Sequence, residues 1–290
     1  MEAHSSIHPH AYTIDPRVRM GAVTLAVSDL ERMSGFYRVV IGLDLLVRTD
    51  DEAMLGAGGV PLVHLVRREG GRAEPGSTGL YHLALLLPSQ ADLGAWLAHL
   101  AETGYRLDGA GDHFVSEALY LSDPEGNGIE VYRDRPREMW EYVEGLLRMG
   151  TERVDVRALL EAGAGVAWRG LPDGTTMGHV HLRVADIQAT LRFYEQALGM
   201  QTMAFMPGAG FFSAGGYHHH IGANTWESRG AKPPSPGALG LVAASLVLPD
   251  DTTRDAFLRH LDAAGIARTV LFDRPAIQDP SGNTLLLTTP

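Results

Sequence analysis

The sequence predicts an α+β protein made of four βαβββ-like modules that associate in pairs. Two observations carry this prediction: a long repeat relates the two halves of the chain, and a second repeat relates the later segments of each half. With 290 residues, 45% of them hydrophobic, the chain is long enough for two domains with their own cores. We therefore expect two domains of two modules each.

The first repeat pairs "AVTLAVSDLERMSGFYRVVIGLDL" (22–45) with "HVHLRVADIQATLRFYEQALGMQT" (179–202), without gaps, at an offset of 157. Each copy begins with an alternating segment typical of a strand and continues into a helix. Asp29 and Asp186 are the expected N-caps, and Gly42 and Gly199 the expected helix stops. The Phe-Tyr pair in each helix is predicted to be buried.

The second repeat begins with the strand and helix of "YHLALLLPSQADLGAWLAHLAETGY" and of "VAASLVLPDDTTRDAFLRHLDAAGI". Each is followed by a hairpin that turns at Asp-Pro-x-Gly-Asn, in "SDPEGNGIEVY" and "QDPSGNTLLLT". The predicted modules are 20–68, 78–134, 177–227 and 238–289. Taken in chain order they predict a domain at 18–134 and a second at 177–290, joined by a linker with short helices at 135–176.

The amino-acid composition of the chain limits the classes of molecule that it is expected to bind. The formal net charge is -11 and the only lysine is Lys232, which argues against nucleic acid. The N-terminus "MEAHSSIHPHAYTIDPR" lacks the apolar region of a signal peptide, and no apolar run approaches the ~20 residues of a membrane span. We therefore expect a cytoplasmic protein with a small-molecule partner. Because there is no cysteine, any metal must take imidazole, carboxylate or amide ligands.

Four segments carry a resemblance to a known family: "GLYHLALLLPSQADL", "DHFVSEALYLSDPEGNGIEVYRDRPREMW", "MGHVHLRVADIQATLRFYEQALGM" and "GGYHHHIGANTW". They resemble the vicinal oxygen chelate superfamily, which includes glyoxalase I, bleomycin resistance proteins and type I extradiol dioxygenases. The similarity is greatest to two-domain catechol-2,3-dioxygenase-like proteins. It implies two cupped mixed sheets, each made from paired modules, and a divalent metal held by side chains from the first and last strands of the modules.

The ligand positions implied by this resemblance are occupied unevenly. On the first strands of modules one to four they read Ala22, His82, His179 and Ala243. On the last strands, module two has Glu130, whereas the equivalent in module four is Leu286. Only the pairing of module two with module three, and of one with four, collects His82, Glu130 and His179 in one cup. Two histidines and one carboxylate suit non-heme Fe(II), with Mn, Zn or Ni as alternatives.

The run His218–His219–His220 is predicted to lie on the last strand of module three, where side chains alternate between faces. His218 and His220 would then share one face. The expectation is that His220, or failing that His218, faces the cup. The family resemblance suggests either a fourth metal ligand, as in glyoxalase, or an acid–base group beside the substrate, as in extradiol enzymes.

Tyr120 and His113 complete the set of predicted site residues. Tyr120 precedes Glu130 by ten residues, a spacing similar to that of a substrate-contacting tyrosine in extradiol enzymes. His113 resembles a proton-handling histidine of the same family. His181, which alternates with His179, stays open between structural and functional roles. The segment 205–212 and Trp226 are candidates for an aromatic wall.

The resemblance therefore favours an Fe(II)-dependent extradiol dioxygenase that cleaves the ring of a catechol-type diol with O₂. Two alternatives stay open. A glyoxalase-like isomerase or lyase would use four ligands, His82, Glu130, His179 and His220, around Zn²⁺ or Ni²⁺. A resistance-type binding protein would hold a small molecule without metal. Either a monomer or a homodimer is compatible with the sequence.

Overall fold

The computed structural model describes residues 12–290. The expected signal-free N-terminus, including His4, His8 and His10, lies largely outside the described residues. In the described range, no helix combines the length and apolar character required to cross a bilayer.

Two eight-stranded mixed sheets dominate the fold. The first contains, in spatial order, β16 (Arg268–Leu271), β17 (Arg274–Gln278), β18 (Thr284–Thr288), β15 (Gly240–Val247), β1 (Arg19–Val27), β4 (Val60–Arg67), β3 (Glu52–Ala57) and β2 (Asp44–Arg48). The second contains β12 (Gln201–Met206), β13 (Ala209–Ser213), β14 (Ile221–Asn224), β11 (Thr176–Arg183), β5 (Gly79–Leu86), β8 (Gly128–Asp134), β7 (Ser116–Ser122) and β6 (Gly109–Asp112).

The strand order confirms the predicted fold class and the unconventional pairing of modules. Modules one and four form the first sheet, where β1 and β15 are antiparallel neighbours at its centre. Modules two and three form the second sheet, where β5 and β11 meet in the same way. The sheets therefore do not follow the predicted division into 18–134 and 177–290, because each sheet takes one module from each half of the chain.

Helices connect the strands as the repeats predict. They are α1 (Leu30–Phe36), α2 (Gln90–Thr103), α3 (Val156–Gly163), α4 (Ile187–Arg192) and α5 (Asp251–Ala263). The side chains of Asp29 and Asp186 cap α1 and α4, and both helices continue into a π-helical turn, Tyr37–Ile41 and Phe193–Ala197. The Phe-Tyr pairs of both helices are buried, as expected.

The linker departs from its predicted helical character. Residues 156–163 are helical, but the segment "RPREMWEYVEGLLRM" has only a short 3₁₀ turn, Arg137–Met139, and then a hairpin of β9 (Tyr142–Val143) and β10 (Leu146–Leu147). Glu144 and Gly145 turn this hairpin with positive φ angles of 52° and 83°. Left-handed backbone cannot continue an α-helix, and glycine adopts it without steric cost.

One hydrophobic core lies between the sheets and the helices. Alternate side chains of the central strands enter it, for example Leu25 of β1, Leu83 of β5 and Leu246 of β15, all fully buried. The intervening side chains of β5 and β11 face the other side of the second sheet. That alternation leaves His82 and His179 free to line a concave surface.

Candidate metal and substrate site

Three buried side chains converge on the concave face of the second sheet. His82 lies on β5, His179 on the antiparallel neighbour β11, and Glu130 on β8, which is parallel to β5. The Nε2 atoms of His82 and His179 are 3.3 Å apart, and Glu130 Oε2 lies 2.9 Å from the first and 3.1 Å from the second. The structure thus brings together three of the four residues predicted as ligands.

These separations fit one first-row metal ion. Two donors bound at about 2.1 Å and at right angles to each other lie about 3 Å apart, which is the spacing of all three pairs. Because the donors come from two histidines and one carboxylate, His82, His179 and Glu130 could hold a divalent ion on one face and leave the cavity side open.

The protonation states required for metal binding are also favoured. Burial lowers the pKa of His179 to about 4, in spite of the nearby Glu130 carboxylate. Burial by itself would raise the pKa of Glu130, but the charge and hydrogen bonds of His179 and His82 hold it well below its usual range. At neutral pH the chain therefore presents a neutral imidazole and an ionised carboxylate, the forms that bind metals.

A cavity of about 520 Å³ opens onto these three donors. One wall is aromatic: the Tyr81 ring stands edge-on to Trp226 with centroids 5.5 Å apart, and Phe211 packs edge-on to His181 at 5.7 Å. Of the expected aromatic segment 205–212, Phe211 and Met206 line the cavity, whereas Phe205 is exposed and Phe212 lies in the core. The volume is that of an ordinary small-molecule site.

Tyr120 and His113 form a hydrogen-bonded pair that lines the cavity. His113 Nδ1 lies 2.7 Å from the carbonyl oxygen of Gly150, so this nitrogen must carry a proton. In the neutral imidazole with its proton on Nδ1, Nε2 is an acceptor, and the Tyr120 hydroxyl, 2.6 Å away, donates to it. Burial, followed by the charge of Glu130, raises the pKa of Tyr120 well above its usual value. The phenol is therefore protonated at neutral pH.

The histidine run takes a different orientation from the expected one. Residues 214–220 form a loop ahead of β14, so strand alternation does not apply to them. His219 is the member that lines the cavity, and neither His220 nor His218 does. His220 Nδ1 instead accepts a hydrogen bond from the Ala214 backbone N–H at 3.3 Å and contacts Ser213 Oγ at 3.1 Å. The expectation that His220 or His218 faces the cup is therefore wrong.

His218 and His219 belong to a second cluster behind the first. Nitrogens of His179, His218 and His219 lie within 4.8 Å of one another. The Nδ1 atoms of His218 and His219 are only 2.7 Å apart, the distance of a hydrogen bond. This cluster is therefore a hydrogen-bonded pair packed against a candidate metal ligand.

Two further residues of the site were not assigned a role from the sequence. His181, left open above, is buried against the cavity, and its Nε2 has no hydrogen-bond partner in the described part of the chain. Burial, with smaller effects of His82 and His179, holds its pKa well below the usual value. Gly222 lies opposite His181 in the parallel register of β11 and β14.

Gly222 occupies the position that corresponds to Glu130 in module three. In module two, His82 is in register with Gly128, two residues before Glu130. In module three, Gly222 is in register with His181, which follows His179 by two residues. Glu130 is likewise in register with Ala84, which follows His82 by two residues. A Cβ at Gly222 would lie 2.8 Å from Nδ1 of His181. This position therefore contributes no ligand, and the His181 ring fills the space.

The fold pairs βαβββ modules and carries candidate metal ligands on one concave face, and the comparisons with known proteins identify the family. The model of the Glyoxalase/Bleomycin resistance protein/Dioxygenase superfamily matches residues 19–131 and 176–287. The chain belongs to this superfamily, which confirms the resemblance seen in the sequence.

Individual relatives extend this finding. The chain is 42% identical over 275 residues to the Catechol-2,3-dioxygenase of Bacillus subtilis (strain 168), covering 92% of this chain and 96% of the relative. It is 27% identical over 150 residues to Biphenyl-2,3-diol 1,2-dioxygenase 3 of Rhodococcus globerulus, covering 46% and 73%. Among solved structures, glyoxalase I from Zea mays superposes with a TM-score of 0.59 at 16% identity, covering 94% of this chain and 92% of that chain. The last comparison supports the fold alone.

Proposed function

We propose that this protein is an Fe(II)-dependent extradiol dioxygenase that cleaves the ring of a catechol-type diol. The observation that carries the proposal is the convergence of His82, His179 and Glu130 on one point of an open cavity, with separations of 2.9 to 3.3 Å. A dioxygenase relative that matches nearly the whole chain supports the same reaction class. Bound Fe(II) would supply the redox chemistry that joins O₂ to the diol.

The chain's own groups then bind and orient the substrate. The aromatic wall of Tyr81, Phe211 and Trp226 offers flat surfaces that match an aromatic ring. The hydroxyl oxygen of Tyr120 has free lone pairs because its proton is directed to His113. It can accept a hydrogen bond from a substrate hydroxyl and stabilise charge that develops on the ring oxygens.

Proton handling falls to two imidazoles in separate modules. His113 can receive the Tyr120 proton at Nε2 while its Nδ1 stays hydrogen-bonded to the Gly150 carbonyl oxygen. On the module-three side, His219 lines the cavity with an Nε2 that has no partner among the described residues. Removal of one proton from the diol and delivery of one to the ring-opened product are the tasks for which such groups are suited.

The orientation of the histidine run favours this proposal over the four-ligand isomerase. That alternative requires His220 as a fourth ligand, and His220 is turned towards Ser213 and Ala214. The corresponding strand position is Gly222, which has no side chain. The metal-free binding protein is disfavoured because two imidazoles and a carboxylate are buried within hydrogen-bonding distance of one another, an arrangement that is costly without a cation or proton between them.

Oxygen uptake tests the proposal directly. Protein reconstituted with Fe(II) under anaerobic conditions is mixed with catechol or substituted catechols, and O₂ consumption is followed together with the absorbance of the ring-opened product. We expect uptake in stoichiometry with product. Glu130→Gln should abolish it together with iron binding. The matched control is Glu52→Gln, since Glu52 pairs with His64 in the other sheet at 3.2 Å. Iron binding without uptake on any diol would overturn the proposal.

A further inference from the structure

A hydrogen-bonded chain leads from a partly exposed carboxylate at the end of β8 to the cavity. Asp134, the last residue of β8, places Oδ1 2.9 Å from Nε2 of His218. His218 Nδ1 lies 2.7 Å from Nδ1 of His219. His219 is the member of the run that lines the cavity. Asp134, His218 and His219 therefore form a linear series, Asp134–His218–His219, in which only the last member reaches the site.

The hydrogen-bond inventory of these groups determines where the protons lie. A carboxylate only accepts, so His218 Nε2 carries a proton and donates it to Asp134. In neutral His218 the other nitrogen, Nδ1, is then an acceptor. The facing Nδ1 of His219 must therefore be the donor, because two acceptors cannot share a hydrogen bond at 2.7 Å. His219 is left with an unprotonated Nε2.

The surroundings hold this series in one arrangement. His218 is completely buried, and its ring packs against Tyr217 at 4.1 Å and edge-on to Trp140 at 5.5 Å between centroids. The Tyr217 hydroxyl also donates to Asp134 Oδ1, at 3.3 Å. Asp134 keeps a quarter of its side chain exposed, so its carboxylate stays hydrated. Reversal of the protons would leave His218 Nε2 unprotonated against the Asp134 carboxylate, so that two acceptors would face each other at 2.9 Å.

We infer that Asp134 and His218 are positioning residues that hold His219 as the Nδ1–H tautomer and leave its Nε2, a buried atom of a cavity-lining residue with no hydrogen-bond partner among the described residues, unprotonated. Free histidine prefers the opposite tautomer, with the proton on Nε2. With the proton on Nε2 instead, His219 could not accept a proton at that nitrogen. The catalytic consequence rests on the proposed function, whereas the tautomer itself does not.

The first test reads the tautomer without reference to catalysis. In metal-free protein labelled with ¹⁵N-histidine, two-bond ¹H–¹⁵N correlations at neutral pH distinguish the two tautomers, and His219→Asn assigns the signal. We expect the Nδ1–H pattern for His219 in the unaltered protein. His218→Phe and Asp134→Ala should each convert it largely to Nε2–H. His220→Asn, a change in the same run at a residue that lies outside the series, should leave it unchanged.

The second readout is kinetic. If the protein cleaves catechols, Asp134→Ala and His218→Phe should lower kcat by 10-fold or more and leave the KM for the diol and the affinity for Fe(II) within about 2-fold. An Nε2–H signal for His219 in the unaltered protein, or no change in either variant, would overturn the inference. A converted tautomer in a protein without oxygen uptake would instead uphold the inference and reject the dioxygenase. If His218→Phe does not fold, both the tautomer and kcat are measured in Asp134→Ala, whose altered side chain is partly exposed to solvent.

Discussion

His219 is the residue on which the proposed proton transfers depend most. Its ring packs against His179 with centroids 4.0 Å apart, so it lies next to a candidate ligand without belonging to the convergent triad. Burial, followed by the nearby His179 and His218, holds its pKa well below the usual value. A neutral imidazole next to a candidate metal ligand is suited to accept a proton from the diol of the proposed reaction.

Replacement of this residue separates proton transfer from metal binding. We predict that His219→Asn lowers kcat about 100- to 10,000-fold, the range of general acid–base catalysis, while Fe(II) affinity stays nearly unchanged. The measurement is steady-state oxygen uptake at saturating catechol, together with a chelator competition assay for iron. Loss of iron in the variant would mean that His219 is a ligand and not an acid–base group.

His220 is predicted to affect stability in acid. Its Nδ1 accepts a backbone hydrogen bond, and burial, with smaller effects of neighbouring charges, lowers its pKa to about 3. The unfolded chain takes up this proton below pH 6.5 and the folded protein does not, so stability falls as the pH drops from 6.5 towards 3. At pH 5 this histidine alone lowers the free energy of unfolding by about 2 kcal/mol relative to neutral pH.

Urea unfolding of metal-free protein at pH 7.5 and pH 5 measures this effect. Between pH 7.5 and pH 5, we expect the free energy of unfolding of His220→Asn to fall by about 2 kcal/mol less than that of the unaltered protein. An identical loss in both proteins would show that His220 is protonated to the same extent in the folded and unfolded states.

Among the secondary-structure elements, β14 shows how one strand differs from its equivalent in the other module. Gly222 stands where β8 carries Glu130, and the His181 ring occupies the space a side chain would need. The short strand begins only after the histidine loop. Module three therefore contributes one candidate ligand from β11 and the proposed acid–base residue from a loop, whereas module two contributes two candidate ligands from strands.

Gly222→Ala is predicted to act through His181. The added Cβ would lie 2.8 Å from Nδ1 and 3.0 Å from Cγ of His181, so the ring, which lines the cavity, must shift. We expect kcat/KM for the diol to fall about 10-fold, an energy of about 1.4 kcal/mol, without loss of iron. The double variant Gly222→Ala/His181→Ala removes the clash. Its kcat/KM should equal that of His181→Ala alone, and additivity of the two single effects would contradict the argument.

At the scale of the whole molecule, hydrogen bonds between repeated motifs connect the two sheets. The Tyr37 hydroxyl, from a module of the first sheet, donates to Asp123 Oδ2 in the second at 3.0 Å. Tyr194 makes the equivalent contact from the second sheet to Asp279 in the first, at 3.4 Å. The Asp-Pro-x-Gly-Asn turns, expected only to reverse the chain, therefore also join modules that belong to different sheets.

Removal of the Tyr37 hydroxyl and removal of the Tyr194 hydroxyl are predicted to lower the free energy of unfolding by different amounts. Tyr37→Phe should lower the free energy of unfolding by about 1–2 kcal/mol, because a buried carboxyl loses a donor. Tyr194→Phe should cost less, since its hydrogen bond is longer. Denaturant unfolding followed by circular dichroism measures both. A larger loss for Tyr194→Phe would contradict this interpretation.

The shared core predicts cooperative unfolding of both sheets. Residues from both sheets form one continuous buried cluster, so neither sheet keeps its core if the other unfolds. We expect far-ultraviolet circular dichroism and tryptophan fluorescence to report the same midpoint in urea. Two separated transitions would show that the sheets are independent domains.

Patterns in the sequence were sufficient to predict much of the fold of this protein. The ungapped repeat predicted the modules, the caps Asp29 and Asp186 and the buried Phe-Tyr pairs, because these depend on contacts within about ten residues. At the ligand positions that the family resemblance implies, the uneven distribution of histidine and glutamate predicted which modules share a sheet. It also selected the triad His82, Glu130 and His179, which the structure brings together.

Only the tertiary structure decided which imidazole of the run meets the cavity. Strand alternation put His218 and His220 on one face, and His220, or failing that His218, was expected to face the cup. Two successive glycines with positive φ, Gly215 and Gly216, instead place the run in a loop where the period of two does not hold. The direction of a loop side chain depends on its partners, here Asp134 for His218 and Ser213 for His220. Asp134 lies more than eighty residues away in the chain, so no local pattern could identify it.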